Sequence, residues 1–172
     1  MSLQPFSFTR ARPHTPLRGF TLIEIVVVAT IFSVFMVALV SYYKKVLDVS
    51  QDTTRHIQSG FLIEEGIEAA KLLRDESWSA RVATLSTTTT YYLLWSGSTW
   101  TATTTEQKIE NIFTRTVRIT DVFRDVNDDI ASAGTHDPGT KKVRIEVSWP
   151  RKGGNATTTD SAETYITNLF TN

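Results

Sequence analysis

Cysteine is absent from this chain of 172 residues. That excludes disulfides, thiol catalysis and cysteine-ligated metals, and it leaves the redox compartment undecided. Proline is scarce and unevenly placed. There are five, of which Pro5, Pro13 and Pro16 crowd the N-terminal segment, and none lies between Leu17 and Asp137. The first segment is therefore a poor helix, while nothing of that kind interrupts the long middle stretch. Acid is missing from residues 1–19, which carry Arg10, Arg12 and Arg18. A net basic excess is missing too: Lys plus Arg and Asp plus Glu both total 18, so no charge imbalance indicates nucleic acid. The histidines are His14, His56 and His136, and no nucleophile motif accompanies them. Gly153-Gly154 lacks the following Lys-Ser/Thr of a phosphate loop. These absences point away from an enzyme, and no cofactor is expected.

What is present is one long apolar run. Between residues 20 and 40 the only ionisable side chain is Glu24, and there is no Gly or Pro. At ~1.5 Å per residue such a run spans ~30 Å, about the thickness of a bilayer core. A buried core helix is usually shorter or shows a polar stripe. The basic, acid-free flank predicts a cytoplasmic N-terminus with the bulk of the chain outside; Lys44 and Lys45 weaken that bias without cancelling it. The run exceeds the apolar stretch of an ordinary secretory signal. It continues into Ser41, Tyr42 and Tyr43 without a small-residue cleavage site, so the span is expected to be retained. A flexible basic leader, then Gly19, then an abrupt helix has the layout of a protease site. Glycine lets an extended strand enter a tight cleft.

The stretch "RGFTLIE" followed by a long apolar helix resembles the prepilin signature of type IV pilins and type II secretion pseudopilins, over residues 18–45. The resemblance implies cleavage between Gly19 and Phe20 by prepilin peptidase and N-methylation of Phe20. It implies a structural subunit, a minor one, of a pilus or secretion pseudopilus. Its partners would be the peptidase, other pilin or pseudopilin subunits, an inner-membrane assembly platform and the lipid bilayer. Residues 1–19 would be a leader that is removed, 20–43 the transmembrane and assembly helix, and 44–172 an extracytoplasmic globular domain. The protein would sit in the inner membrane and reach the cell surface, or a pseudopilus, on assembly. The alternative is a membrane-anchored extracytoplasmic binding protein outside any filament. Two departures favour a minor subunit: the cysteine pair and the helix-kinking proline of many major pilins are both missing.

Glu24 has two compatible explanations. Thr21-Leu22-Ile23-Glu24 fits a T-x-x-E capping box, and an acid near a helix N-terminus gains ~0.3–1 kcal/mol from the macrodipole. The resemblance adds an assembly role, in which the carboxylate pairs with the N-terminal amine of a neighbouring subunit. A membrane acid generally finds a partner.

The rest predicts an α+β fold, pilin-like by the same resemblance. The helix is expected to run from Phe20 to about Trp78. Ile63, Ile67, Ala70 and Leu73 form one apolar face, with Glu64, Glu68, Lys71 and Asp75 mostly off it. Gly60 and Gly66 each cost ~1 kcal/mol against alanine. Beyond Trp78 the period becomes that of strands. Aromatic and β-branched residues flank Ser96-Gly97-Ser98, which predicts a hairpin. Phe113, Val117 and Ile119 share a face that Arg115 interrupts. Val143, Ile145, Val147 and Trp149 alternate cleanly with Arg144, Glu146 and Ser148, and a last strand is expected from Thr164 to Phe170. Four or five antiparallel strands would pack on the second half of the helix. Asp125, Asn127 and Asp129 echo the first half of a calcium loop, but Ile130 stands where the glycine belongs and no Glu closes the loop, so no metal is expected. Threonine-rich stretches at 87–90, 101–105 and 157–159 fit exposed β-edges, and Asn155-Ala156-Thr157 is a glycosylation sequon.

Overall fold

The computed structural model describes residues 19–151 and 156–169. The expected leader through Arg18, the Gly153-Gly154-Asn155 stretch and Phe170 lie outside the described residues. One helix, α1, runs from Leu22 to Glu76. By compactness the chain divides into two units, Met1–Asp48 and Val49–Asn172.

In the first unit α1 is a bare apolar rod. Its large side chains, from Leu22 and Ile23 through Val40, stand in the open, apart from the half-buried Leu39. No proline or glycine breaks it, and its backbone bonds are internal.

In the second unit α1 becomes one-sided. Ser59, Ile63, Gly66, Ala69, Ala70 and Leu73 are buried, and Ile67 is half-buried against the same core. The helix ends at Glu76, and Ser77 then caps a short π-helical turn, Trp78–Val82, by accepting from the Ala80 amide at 3.3 Å. Seven strands follow: β1 Tyr91–Trp95, β2 Trp100–Thr103, β3 Lys108–Ile109, β4 Phe113–Arg124, β5 Ile130–Ala131, β6 Thr135–Pro150 and β7 Thr157–Thr167. All pairings are antiparallel, in the order β2-β1-β4-β6-β7, with the two short strands β3 and β5 both pairing with β4. This is the expected α+β architecture. The two-residue strands account for the higher strand count.

Alternation decides the inward face. Phe113, Val117 and Ile119 of β4 and Val143, Ile145, Val147 and Trp149 of β6 are all buried, with Leu93 and Ile166 from the flanking strands. Trp78 and Val82 of the π-turn close the same core. Arg115, which breaks the apolar pattern of β4, points inward as well and is 4% exposed. Its Nη1 donates to the Leu62 carbonyl at 3.1 Å and meets Glu65 Oε2 at 3.1 Å, while its guanidinium lies 5.3 Å from the Trp100 ring centre. Helix and sheet approach closely at Gly66, where a Cβ would lie 2.9 Å from Ile145 Cγ2.

Two expectations need correction. The last strand begins at Thr157, not Thr164: all eleven residues of β7 pair with β6 without a register shift. Threonine favours strands, but the threonine, aspartate and serine of residues 157–161 give no apolar alternation to read. Of the threonine-rich stretches, 101–103 and 157–159 do lie on the two edge strands, whereas 87–90 precede β1 and form no strand. The β4–β6 register also breaks after Asp121, whose partner is Lys141, because Val122 pairs with Asp137. The extra β6 residues carry Pro138 and Gly139, and Thr140 and Lys141 are consecutively buried beyond them.

Candidate processing and assembly site

The site begins where regular structure begins. Gly19, Phe20 and Thr21 are not helical, and Leu22 is the first helical residue. Thr21 is the N-cap: its carbonyl accepts from the Ile25 amide at 3.2 Å. Its Oγ1 accepts from the Glu24 amide at 3.3 Å, and Glu24 Oε2 accepts in return from the Thr21 amide at 3.4 Å. This reciprocal pair is the capping box read from T-x-x-E. It satisfies two of the amide donors that a helix start leaves unbonded.

Phe20 is 78% exposed and lines a shallow groove with Glu24, Ile25, Val28, Ala29 and Phe32. Of the sequence-predicted site residues, Phe20 and Glu24 are thus brought onto one surface. Gly19 stands just ahead of them, and a Cβ there would meet nothing within 4 Å. The fold therefore leaves room for a side chain at that position.

The apolar segment behind the cap is suited to lipid. Its polar side chains spend their donors on their own backbone. Thr30 Oγ1 donates to the Val26 and Val27 carbonyls at 3.0 and 2.8 Å, Ser33 Oγ to Ala29 at 2.8 Å, and Ser41 Oγ to Val37 at 2.9 Å. In hydrocarbon an unsatisfied polar group costs several kcal/mol, roughly, so this self-bonding removes the main penalty. Among the described residues α1 is the one helix long and apolar enough to cross a membrane, and its apolar window is not buried in the protein.

The calcium-like loop is organised otherwise. Asp125 Oδ1 accepts from the Asn127 and Asp129 amides at 2.8 and 3.0 Å, so that carboxylate closes its own turn. Arg124 fills the remaining space, with Nη1 donating to the Asp128 carbonyl at 2.8 Å and Nε to Asp137 at 2.7 Å. The bonds from Arg124, and then from Thr140, hold the Asp137 carboxyl below its ordinary range. Asp125, Asn127 and Asp129 are therefore not brought together as ligands. Among the described residues no group of three or more His, Asp or Glu side chains is arranged around a metal position.

One polar cluster escaped sequence reasoning. His56 Nδ1 lies 2.9 Å from Asp160 Oδ2, and Ser59 Oγ donates to the same Oδ2 and to the His56 carbonyl. The His56 ring also packs edge-on to Trp149 at 5.0 Å. Serine and histidine bond to the same carboxylate oxygen, so the acid lies between them in place of a serine–histidine bond. The cluster ties α1 to β7 and is not a nucleophilic triad. A separation of about a hundred residues between partners leaves no local pattern to find.

A helix with a lipid-compatible first segment, joined to an antiparallel sheet, defines a membrane-anchored α+β protein with one spanning segment among the described residues. Residues 18–40 match the family described as the prokaryotic N-terminal methylation motif. No curated protein and no solved structure matches the chain. The chain thus carries the type IV pilin and pseudopilin signature, the mark of subunits processed by prepilin peptidase, and its helix-and-sheet layout is pilin-like.

Proposed function

We propose that the protein is a minor structural subunit of a type IV pilus or a type II secretion pseudopilus. Prepilin peptidase cuts between Gly19 and Phe20, the new Phe20 amine is methylated, and the subunit enters a filament through α1. The N-terminus faces the cytoplasm before processing, and the sheet unit lies outside. Glu24 pairs with the Phe20 amine of a neighbouring subunit, and an inner-membrane platform drives assembly. The protein is not an enzyme. The observation that carries this reading is the methylation motif over residues 18–40. The open groove holding Phe20 and Glu24 together supports it, as does the absence of cysteine, which sets the chain apart from major pilins with a disulfide-closed loop.

The test is Glu24→Gln. A capping box accepts Gln nearly as well as Glu, since either side chain can accept the Thr21 N–H. A charge pair in a low-dielectric setting does not survive the loss of the carboxylate. Processed protein is expected at wild-type level in the membrane. Its share in sheared filaments is expected to fall on the order of tenfold or more, which corresponds to ~1.4 kcal/mol per tenfold. Incorporation at the wild-type ratio would reduce Glu24 to a cap. Absence of the wild-type protein from every filament fraction would favour an anchored extracytoplasmic binding protein instead.

A further inference from the structure

Four consecutive residues follow the apolar segment: Tyr42, Tyr43, Lys44 and Lys45. All four are exposed and all lie within α1. An α-helix turns by ~100° per residue, so four residues in a row encircle it. They form a closed ring of two phenols and two ammonium groups around an otherwise apolar rod. The tyrosines are 65% and 59% exposed, and their rings meet edge to face at 6.2 Å.

We propose that this ring is an interfacial collar that docks on the phosphate headgroups of anionic phospholipids and fixes how deep α1 sits. The proposal rests on the membrane-anchored reading of the first unit. Tyrosine favours the headgroup level, where its ring is half in hydrocarbon and its hydroxyl is wet. Lysine reaches the same level by extending its stem along the apolar surface, and its ammonium attracts anionic headgroups. On the membrane side, from Ile25 to Ser41, there is no charge, and the three hydroxyls bond inward. On the water side comes Asp48, the first acid after Glu24. Without the lysines nothing would stop the rod at residue 43, because Val46, Leu47 and Val49 are also exposed and apolar.

The collar has a consequence at the other end. At ~1.5 Å per residue Tyr42 lies ~27 Å along the axis from Glu24, against a hydrocarbon core of ~30 Å. Holding the collar at one headgroup layer places Glu24 near the opposite one, where a charge costs least. The same register brings Phe20 and Gly19 out to the aqueous edge, within reach of a membrane protease.

The absence of native cysteine makes the test direct. Nitroxide labels on single cysteines at Leu39, Ser41, Val46, Leu47 and Val49 are read in the full-length protein. It is reconstituted in phosphatidylcholine vesicles with or without phosphatidylglycerol. Relative accessibility to oxygen and to a water-soluble nickel chelate is expected to cross over between Ser41 and Val46. The double variant K44L/K45L should move the crossover outward by about one helical turn. It should also lose the severalfold enrichment of spin-labelled phosphatidylglycerol around the wild type. The variant K44R/K45R should keep both. A crossover unmoved in K44L/K45L, or equal lipid selectivity in both proteins, overturns the collar. A set of labels that are all open to the chelate means that the segment does not enter the bilayer, and the membrane reading falls with the collar.

Discussion

Replacing Gly66 with alanine sets two opposed effects against each other at one site. Alanine in a helix interior is favoured over glycine by ~1 kcal/mol, because the unfolded chain has less backbone freedom to lose. The new Cβ, however, would sit 2.9 Å from Ile145 Cγ2 and 3.2 Å from Arg115 Cδ. Ile145 is fully buried, and a β-branched side chain in a strand has few other χ1 wells to move into. Forcing a methyl into such a contact costs ~1–3 kcal/mol. The net expectation for Gly66→Ala is a loss of ~1 kcal/mol. Gly60 is the control: it is exposed on the same helix and a Cβ there meets nothing within 4 Å. Gly60→Ala should therefore gain up to ~1 kcal/mol. Urea titration of the detergent-solubilised protein, followed by tryptophan fluorescence, measures both. The prediction is in the opposite signs. A Gly66→Ala midpoint equal to or above that of Gly60→Ala would mean that helix and sheet are not in close contact there.

Arg115→Ala should cost ~2–4 kcal/mol, since it opens a cavity and removes the bonds to Leu62 and Glu65. Arg115→Met should stay within ~1 kcal/mol of wild type, because a buried charge whose Nε has no partner is replaced by apolar volume; urea midpoints of the two variants decide. Acid should destabilise the sheet unit. Lys141, outweighing partial burial, holds the Asp121 carboxyl below its usual 3.8, and Arg124 does the same for Asp137. Burial alone would raise Asp160, but bonds from Ser59 and His56 hold it down. Carboxyls depressed in the folded state contribute fully above the unfolded value and lose that contribution as pH falls through the folded one. Stability should therefore drop below about pH 4, and Asp160→Asn should flatten the acid limb of a melting-temperature profile. Processing is checked by intact mass: membrane-extracted protein should begin at Phe20 with one added methyl, and Gly19→Leu should leave the precursor uncut. Cleavage beyond residue 40 would refute retention of the span.

Some features were legible because their signals are local. The capping box needs only Thr21 and Glu24 at the right spacing, and the spanning segment announces itself by composition. The hairpin at Ser96-Gly97-Ser98 closes as its turn residues require, with Gly97 at φ +90. The alternation of β6 placed Val143, Ile145, Val147 and Trp149 in the core. Other features carry no such mark. Ser59, Gly66 and Ala69 are buried on α1 because the sheet approaches closely, and small residues have no apolar signal of their own. The first half of β7 is threonine, serine and aspartate, which read as loop until β6 supplies a partner. Arg115 looked like a break in a strand face, yet its charge is met by a helix turn some fifty residues earlier. The acidic loop echoes a calcium loop in sequence, but which amides the Asp125 carboxylate takes and where Arg124 lands, on Asp137 and the Asp128 carbonyl, are set by the folded turn.

The capping box lies wholly downstream of the bond between Gly19 and Phe20. Thr21 and Glu24 bond to each other, and the Thr21 carbonyl accepts from Ile25 in the first helical turn. If the chain is cut there, the helix end needs no rebuilding: the same two side chains terminate it before and after. What changes is charge, not shape. A positive amine appears beside the positive end of a helix, one residue from the cap, an unfavourable placement until a carboxylate answers it. Removal of the leader would then act as an electrostatic trigger on a rigid part. It would turn a self-satisfied helix start into one that seeks a negative partner, and the energy to recruit that partner would be available only after the cut.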